Sequence, residues 1–244
     1  MATIGKDTTI SWLGHGTFHI VTPEGRKVLI DAWVDTNPSC PDEWKSKARE
    51  GLDAIFVTHA HSDHIADLVP LAKETGAQVV CIFDMSSWLV SQGVDESKIV
   101  GFNKGGTVEV AGIKATMTTA HHSSTYTTSD GQILSLGDPA GYILRMSNGF
   151  TIYHTGDTCV HYDMLIMGDL YQPDLTILPI GDHFTMDPRQ AAYALKLIRS
   201  QYAIGEHWGT FPLLKGTPEA LQEALKEFNV PTTILPLRPG ESVS

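Results

Sequence analysis

The sequence predicts an α+β fold, a four-layer αββα sandwich with two mixed β-sheets at its centre and helices on both outer faces. Strand-like and helix-like segments alternate along the 244 residues with short connections. A β-meander, followed by a strand that ends in histidine or aspartate, occurs once in each half of the chain. Each segment must bury one face, and two stacked sheets flanked by helices satisfy all of them.

The individual elements are predicted from apolar runs and from turn and capping residues. Turns are expected at Pro23-Glu24-Gly25, Ala111-Gly112 and Ser147-Asn148-Gly149. Asp187-Pro188 and Thr217-Pro218 each offer an N-cap and an N1 proline for a helix. The expected strands cover residues 8–12, 17–22, 27–32, 54–58, 78–83, 106–110, 113–119, 142–146, 150–153, 175–180 and 202–206, and the expected helices cover residues 65–75, 188–200 and 218–228.

Composition fits one compact domain over residues 1–244. Apolar residues make up 42% of the chain, and no apolar run reaches the ~20 residues that span a bilayer. The start of the chain lacks signal-peptide character, and Cys40, Cys81 and Cys159 share no CxxC spacing, so we expect reduced thiols and a cytoplasmic location. The net charge of −11 opposes binding to nucleic acid.

The most informative segment is Thr58-His59-Ala60-His61-Ser62-Asp63-His64, at the end of a predicted strand. In an extended loop His59 and His61 point to the same side, while Asp63 and His64 can reach a second cation. Imidazole and carboxylate groups are ligands of borderline metals. The alternative, polar residues that only cap a helix, does not account for three histidines and a carboxylate at this spacing.

Further candidate ligands follow other predicted strands. Residues 113–119 lead into the adjacent His121 and His122, residues 150–153 lead towards Asp157, and residues 202–206 lead into His207. Open α/β sheets place their ligands at the carboxyl ends of strands. The spacing alone does not choose between His121 and His122.

The pattern His59-x-His61-x-Asp63-His64, followed by His122, Asp157 and His207, resembles the ligand signature of the metallo-β-lactamase fold hydrolases. Within them the chain is similar to the prokaryotic metal-dependent hydrolase group that neighbours the ascorbate-6-phosphate lactonases. The segments Ala120-x-His122-Ser123-Ser124, Tyr153-His154-x-Gly156-Asp157-Thr158 and 178–186 carry that closer similarity.

The resemblance implies two divalent cations, expected to be Zn²⁺, with Mn²⁺, Fe²⁺ or Ni²⁺ as alternatives. One would be held by His59, His61 and His122, the other by Asp63, His64 and His207. Asp157 would bridge them beside a hydroxide, and Asp63 would orient the nucleophile or pass a proton. The implied activity is hydrolysis of an ester, lactone or phosphodiester bond in a small substrate. The resemblance also implies a homo-oligomer, and it is the only basis for expecting one.

Two other functions stay open. Diiron relatives replace the second motif histidine with glutamate, whereas this chain keeps His61. A mononuclear iron oxidoreductase similar to the persulfide dioxygenases is therefore the alternative enzyme, and a sensor that binds metal without catalysis is the alternative non-enzyme.

Several other side chains are predicted to shape the pocket. His15, between Gly14 and Gly16, is expected to face the substrate, with a structural turn histidine as the alternative. For Asp182 two interpretations are equally favoured: contact with the substrate or with a metal-ligating residue, and a purely structural role. Asp31 is expected either to accept a hydrogen bond from a ligating imidazole or to cap a turn, and His154 is expected to be packed and hydrogen-bonded. His19 and His161 are expected to be ordinary histidines that are hydrogen-bonded or solvated, and Cys159 is a further candidate ligand.

Residues 33–47 and 123–141 are predicted to be loops that determine substrate specificity.

Overall fold

The computed structural model describes residues 4–5 and 7–244, whose strands form two seven-stranded sheets and a small hairpin. The strands are β1 (Thr9–Gly14), β2 (Thr17–Val21), β3 (Lys27–Ile30), β4 (Leu52–Phe56), β5 (Gln78–Ile82), β6 (Ile99–Phe102), β7 (Thr107–Val110), β8 (Ile113–Thr119), β9 (Thr125–Thr127), β10 (Ile133–Ser135), β11 (Ala140–Arg145), β12 (Thr151–His154), β13 (Leu175–Pro179), β14 (Tyr202–Glu206), β15 (Thr233–Ile234) and β16 (Ser242–Val243).

Both large sheets are mixed, as predicted. The first has the order β16-β1-β2-β3-β4-β5-β6, antiparallel from β16 to β3 and parallel from β3 to β6. The second has the order β15-β14-β13-β12-β11-β8-β7, antiparallel from β7 to β12 and parallel from β12 to β15. Strands β8, β12, β13 and β14 therefore run in one direction, and their carboxyl ends meet at one edge.

Seven α-helices in the described part of the chain complete the layers. Trp44, Leu71 and Leu89 are buried in one hydrophobic cluster that also draws side chains from both sheets, whereas Leu195 and Leu221 pack in a second cluster on the second sheet. The four-layer arrangement is thereby confirmed. The helices are α1 (Asp42–Lys47), α2 (Ser62–Ile65), α3 (Leu68–Thr75), α4 (Phe83–Ser91), α5 (Asp163–Tyr171), α6 (Pro188–Ile198) and α7 (Pro218–Phe228).

The two capped helices begin as predicted. The Asp187 carboxylate accepts a hydrogen bond from the backbone N–H of Gln190 at 2.6 Å, and the Thr217 hydroxyl accepts one from Ala220 at 3.1 Å. Each cap satisfies an N–H that lacks a partner inside its helix.

The prediction of a single helix over residues 65–75 was wrong about where the helix begins. Asp63 and His64 lie inside the one-turn helix α2, and α3 begins separately at Leu68. Asp67 separates the two helices, because its carboxylate accepts hydrogen bonds from the backbone N–H groups of Val34 and Asp35 at 2.7 and 2.8 Å. This contact ties the break between the helices to the loop after β3.

The structure contains elements that the sequence patterns did not predict: helices α1, α4 and α5, strands β6, β15 and β16, and the β9–β10 hairpin. The expected specificity loops therefore have structure of their own, since α1 lies in residues 33–47 and the hairpin lies in residues 123–141. Among the described residues no helix has the length and apolar character to cross a bilayer.

Candidate metal centre

The seven predicted metal ligands follow the carboxyl ends of four strands. The segment after β4 supplies four of them, and the segments after β8, β12 and β14 supply one each. The backbone N–H of Ala140 donates to the carbonyl of Thr58 at 2.9 Å, which joins the two sheets at this point. The seven residues are His59, His61, Asp63, His64, His122, Asp157 and His207.

The ligand candidates form two groups. The nitrogens of His59, His61 and His122 lie within 4.8 Å of one another, and the donor atoms of Asp63, His64 and His207 lie within the same limit together with His15. Nε2 of His59 is only 2.9 Å from Nδ1 of His61, so two imidazoles of the first group converge on one point.

Asp157 lies between the two groups. Its Oδ2 is 3.0 Å from Nε2 of His207 and 3.4 Å from Nε2 of His64 in one group. The same oxygen is 3.6 Å from Nε2 of His122 and 4.0 Å from Nε2 of His59 in the other. Burial alone would raise the pKa of Asp157, but His207 and His64 hold it well below its usual value. This carboxylate is therefore an anion that faces four imidazoles.

Asp31 and Thr58 fix the orientation of two of these imidazoles. The Thr58 hydroxyl donates to Asp31 at 2.7 Å, so its oxygen accepts the Nδ1–H of His59 at 3.0 Å. Asp31 Oδ2 also accepts the Nδ1–H of His64 at 2.6 Å. In both histidines the contact at Nδ1 leaves Nε2 directed at the centre, the arrangement in which a partner residue fixes the orientation of a ligating imidazole. The contacts match the supporting position predicted for Asp31.

His15 is fully buried and contacts the second group directly. Its Nε2 lies 2.9 Å from Asp63 Oδ2, its Nδ1 lies 3.0 Å from the Thr210 hydroxyl, and its ring centroid is 3.9 Å from that of His207. Burial lowers the pKa of His15 to about 4 despite the hydrogen bond to Asp63. His15 is therefore neutral at pH 7. Because His15 is closed to solvent, its contacts favour a role in positioning Asp63. The sequence analysis had predicted that His15 faces the substrate.

His121 and His122 point to different sites. His122 is the member of the pair that joins the His59 group, whereas His121 is exposed and stacks on His161 with 4.6 Å between ring centroids. The order of ligands suggested by the resemblance thus agrees with the geometry.

Asp182 does not join the centre. It is exposed, adopts a left-handed backbone conformation with φ of 67°, and belongs to none of the clusters of potential metal ligands among residues 4–5 and 7–244. Its predicted substrate role stays a prediction.

The two aromatic residues after His207 have different surroundings. Trp208 stacks on Trp12 at 5.3 Å and donates its indole N–H to Gly205, so it belongs to the interior. Phe211 packs against the edge of His15 at 5.6 Å and is 38% exposed. Of the two, only Phe211 forms an apolar wall beside the centre.

The sequence interpretation missed one pair beneath the centre. His154 Nε2 lies 3.3 Å from Glu206 Oε2, and both side chains are 1% exposed. His154 precedes the loop that carries Asp157, and Glu206 precedes His207. A charged residue at the end of an apolar strand was the available signal, but the contact depends on the sheet order β12-β13-β14.

Solvent reaches three of the seven ligand candidates. His59, His64, Asp157 and His207 are buried, whereas His61 and Asp63 are partly exposed, as is His122. These three residues, which include members of both groups, mark the opening at which a substrate would contact the centre.

Comparison with known proteins identifies the family. A sequence profile described as the β-lactamase superfamily domain matches residues 26–208. The chain belongs to the β-lactamase superfamily of metal-dependent hydrolases. A UPF0173 metal-dependent hydrolase from Roseiflexus sp. is 68% identical over the full length of both chains. Another from Rubrobacter xylanophilus is 44% identical over 97% of this chain and 96% of its own.

Two solved structures have a similar fold. Igni18, a metallo hydrolase from the archaeon Ignicoccus hospitalis, is 31% identical with a TM-score of 0.82 and 97% coverage of both chains. An isothiocyanate hydrolase from Delia radicum gut bacteria superposes with a TM-score of 0.73 at 20% identity, covering 97% of this chain and 98% of its own. At that identity the likeness concerns the fold alone.

The donor atoms of this superfamily member fit the metal ions that the family implies. Nε2 of His64 and Oδ1 of Asp157 are buried and have no hydrogen-bond partner among the described residues. Buried polar atoms without partners destabilise a fold by about 1–3 kcal/mol each unless something binds them. Imidazole and carboxylate donors suit Zn²⁺, Mn²⁺, Fe²⁺ and Ni²⁺.

Proposed function

We propose that this hydrolase acts through a dinuclear centre and cleaves an ester, lactone or phosphodiester bond in a small substrate. His59, His61 and His122 would hold one cation, Asp63, His64 and His207 the other, and Asp157 would contact both. Two cations at these positions would supply hydroxide near neutral pH and would stabilise negative charge on the oxygen of the attacked bond.

The observation that carries this proposal is the position of Asp157. One oxygen atom faces Nε2 of histidines from both groups at 3.0–4.0 Å. A mononuclear site would need no carboxylate between the groups, and it would leave Asp63 and His207 without a metal to bind. The geometry therefore favours two cations over one.

Among the proposed ligands, Asp63 is the carboxylate that we propose takes part in proton transfer. It is 28% exposed at the opening, and Oδ2 contacts His15, so the carboxylate has a fixed direction on one side and access to substrate on the other. Burial would raise the pKa of Asp63, but the hydrogen bond from His15 and the charge of His64 lower it strongly. An ionised Asp63 can orient the nucleophile and accept its proton. It can then return that proton to the leaving group.

The donor set and the charge of the chain favour particular cations and substrates. Zn²⁺ is the first choice, because it prefers imidazole-rich sites with an open position. The acidic chain, with a net charge of −11, favours a small molecule over nucleic acid. Phe211 offers apolar contact to one part of that molecule. The free cysteines Cys40, Cys81 and Cys159 support a reducing, cytoplasmic location.

The test combines metal analysis with a substrate panel. Purified wild-type protein, Asp157→Asn and the exposed-site control Asp169→Asn are measured by inductively coupled plasma mass spectrometry and assayed on lactones, esters and phosphodiesters. We expect wild type and control to bind about two cations per chain at this centre and to hydrolyse one bond class, and Asp157→Asn to bind about two cations fewer and to lose activity.

The same measurement contains the results that would reject the proposal. Two cations retained by Asp157→Asn with undiminished turnover would refute the ligand assignment. A single iron per chain without hydrolysis would favour the mononuclear oxidoreductase, and two cations without turnover on any bond class would favour a sensor.

A further inference from the structure

We propose that His121, His161 and Asp163 form an additional cation site, outside the main centre, that takes a borderline divalent cation such as Zn²⁺. One donor atom from each of the three side chains lies within 4.8 Å of the other two. The two imidazole rings lie 4.6 Å apart at an interplanar angle of 28°. Two imidazoles and one carboxylate are a donor set that Zn²⁺, Fe²⁺, Co²⁺ and Ni²⁺ all accept.

His161 provides the observation that points to a ligand. Both of its ring nitrogens are buried, and neither has a hydrogen-bond partner among the described residues. The prediction of a satisfied or solvated histidine at this position was therefore wrong. Burial lowers the pKa of His161, and the neighbouring His121 lowers it further. The imidazole is thus neutral at pH 7 and has a lone pair to offer to a cation.

The backbone at the site is held by hydrogen bonds. The N–H of His121 donates to the Thr158 hydroxyl at 2.9 Å, and the N–H of Cys159 donates to the carbonyl of His121 at 3.3 Å. The N–H of Met164 donates to the carbonyl of His161 at 3.3 Å. The segment after β8 and the segment that leads into α5 are thereby fixed relative to each other before any cation binds.

The site is separate from the main centre although it shares these segments. His122 Nε2 lies 3.6 Å from Asp157, whereas the next-door His121 is exposed and stacks on His161. Neighbouring residues of an extended segment point to opposite sides. A cation here would therefore connect the residue before His122 to the start of α5, without occupying the main centre.

Modest side-chain movement would complete the coordination. Zn–N bonds of 2.0–2.1 Å in a tetrahedron place neighbouring donors about 3.3 Å apart, so the donors must approach one another by up to about 1.5 Å. His121 and Asp163 are exposed and can rotate to do so. Three protein donors leave a fourth position for water, and the free thiol of Cys159 does not belong to the cluster.

The test counts Zn²⁺ per chain by equilibrium dialysis of metal-stripped protein. Wild type is compared with His161→Gln and Asp163→Asn, and His183→Gln serves as the control because His183 is an exposed histidine outside the cluster. We expect His161→Gln to bind one Zn²⁺ fewer than wild type and the control to match wild type. Asp163→Asn should weaken this one equivalent about tenfold or more.

Equal stoichiometry and affinity in wild type and His161→Gln would overturn the inference. Saturation of the extra equivalent only above about 1 mM Zn²⁺ would also overturn it, because that is the affinity of an incidental surface contact. The readout is a difference between variants, so it holds whatever number of cations the main centre binds. Circular dichroism of each variant confirms that a lost equivalent does not reflect unfolding.

Discussion

Nε2 of His154 lies 3.3 Å from Oε2 of Glu206 beneath the candidate metal ligands, and both side chains are buried. The pair connects β12 to β14 across the intervening β13. The N–H of Gly156 donates to Nδ1 of His154 at 3.1 Å, which leaves Nε2 as the protonated nitrogen facing the carboxylate. Burial raises the pKa of Glu206. The pair thus adds a direct side-chain contact between the two strands that deliver Asp157 and His207, which are otherwise joined through β13.

Removal of the Glu206 carboxyl should destabilise both the fold and the centre. Glu206→Ala removes the carboxylate that faces Nε2 of His154 and opens a buried cavity, so we expect the free energy of unfolding to fall by about 2–4 kcal/mol. Glu206→Gln keeps an acceptor oxygen, so its free energy of unfolding should fall by less than half of that amount. Urea denaturation measures both, and an Ala variant as stable as wild type would show that the pair is dispensable.

The contact between Asp31 and His64 predicts a loss of metal affinity. Asp31→Asn can still accept a hydrogen bond but removes the charge that fixes the Nδ1–H tautomer of His64. We expect the metal dissociation constant to rise about 10–100-fold, with little change in secondary structure. Competition with a chromogenic chelator measures the constant, and Asp53→Asn, at a carboxylate in the same sheet, is the control. Identical constants for Asp31→Asn and wild type would contradict a supporting role.

The hydrogen bond from His15 to Asp63 should affect turnover more than metal binding. His15→Phe keeps the packing against Trp33 and Phe211 but cannot hold Asp63. We expect unchanged metal content and a kcat lowered about tenfold or more, because the carboxylate loses its fixed direction. Thr210→Ser, which preserves the hydroxyl on His15, should behave as wild type. A His15→Phe enzyme with wild-type kcat on every active substrate would make His15 a scaffold residue.

More of the candidate metal centre than of the structure around it could be predicted from the sequence. His59, His61, Asp63 and His64 stand in one short segment, so their types and spacing indicate a metal, and capped helices such as α6 begin with visible Asp-Pro signals. Helix α5 carries exposed Ile166 and Leu170, so its apolar residues do not mark a buried face. Its N-cap residue makes no side-chain hydrogen bond to the helix. Contacts such as His154 with Glu206 depend on strand order, which no local pattern records.

His19 predicts a pH dependence of stability. It was expected to be satisfied or solvated, but it is 3% exposed and neither ring nitrogen has a partner among the described residues. Burial lowers its pKa from 6.5 to about 4, with smaller contributions from Lys27 and Lys47. The ring therefore stays neutral in the folded chain at a pH where the unfolded chain already binds a proton.

The sign of the effect follows from proton binding. Above pH 6.5 neither state protonates His19 and its full contribution to stability is present. Between pH 6.5 and 4 only the unfolded state gains the proton, so the free energy of unfolding falls as the pH falls, by at most about 3 kcal/mol. Urea denaturation at pH 7 and pH 5 should show a smaller loss of stability for His19→Phe than for wild type. Equal losses in the two proteins would mean that His19 is protonated in the folded chain, because then the proton no longer distinguishes the two states.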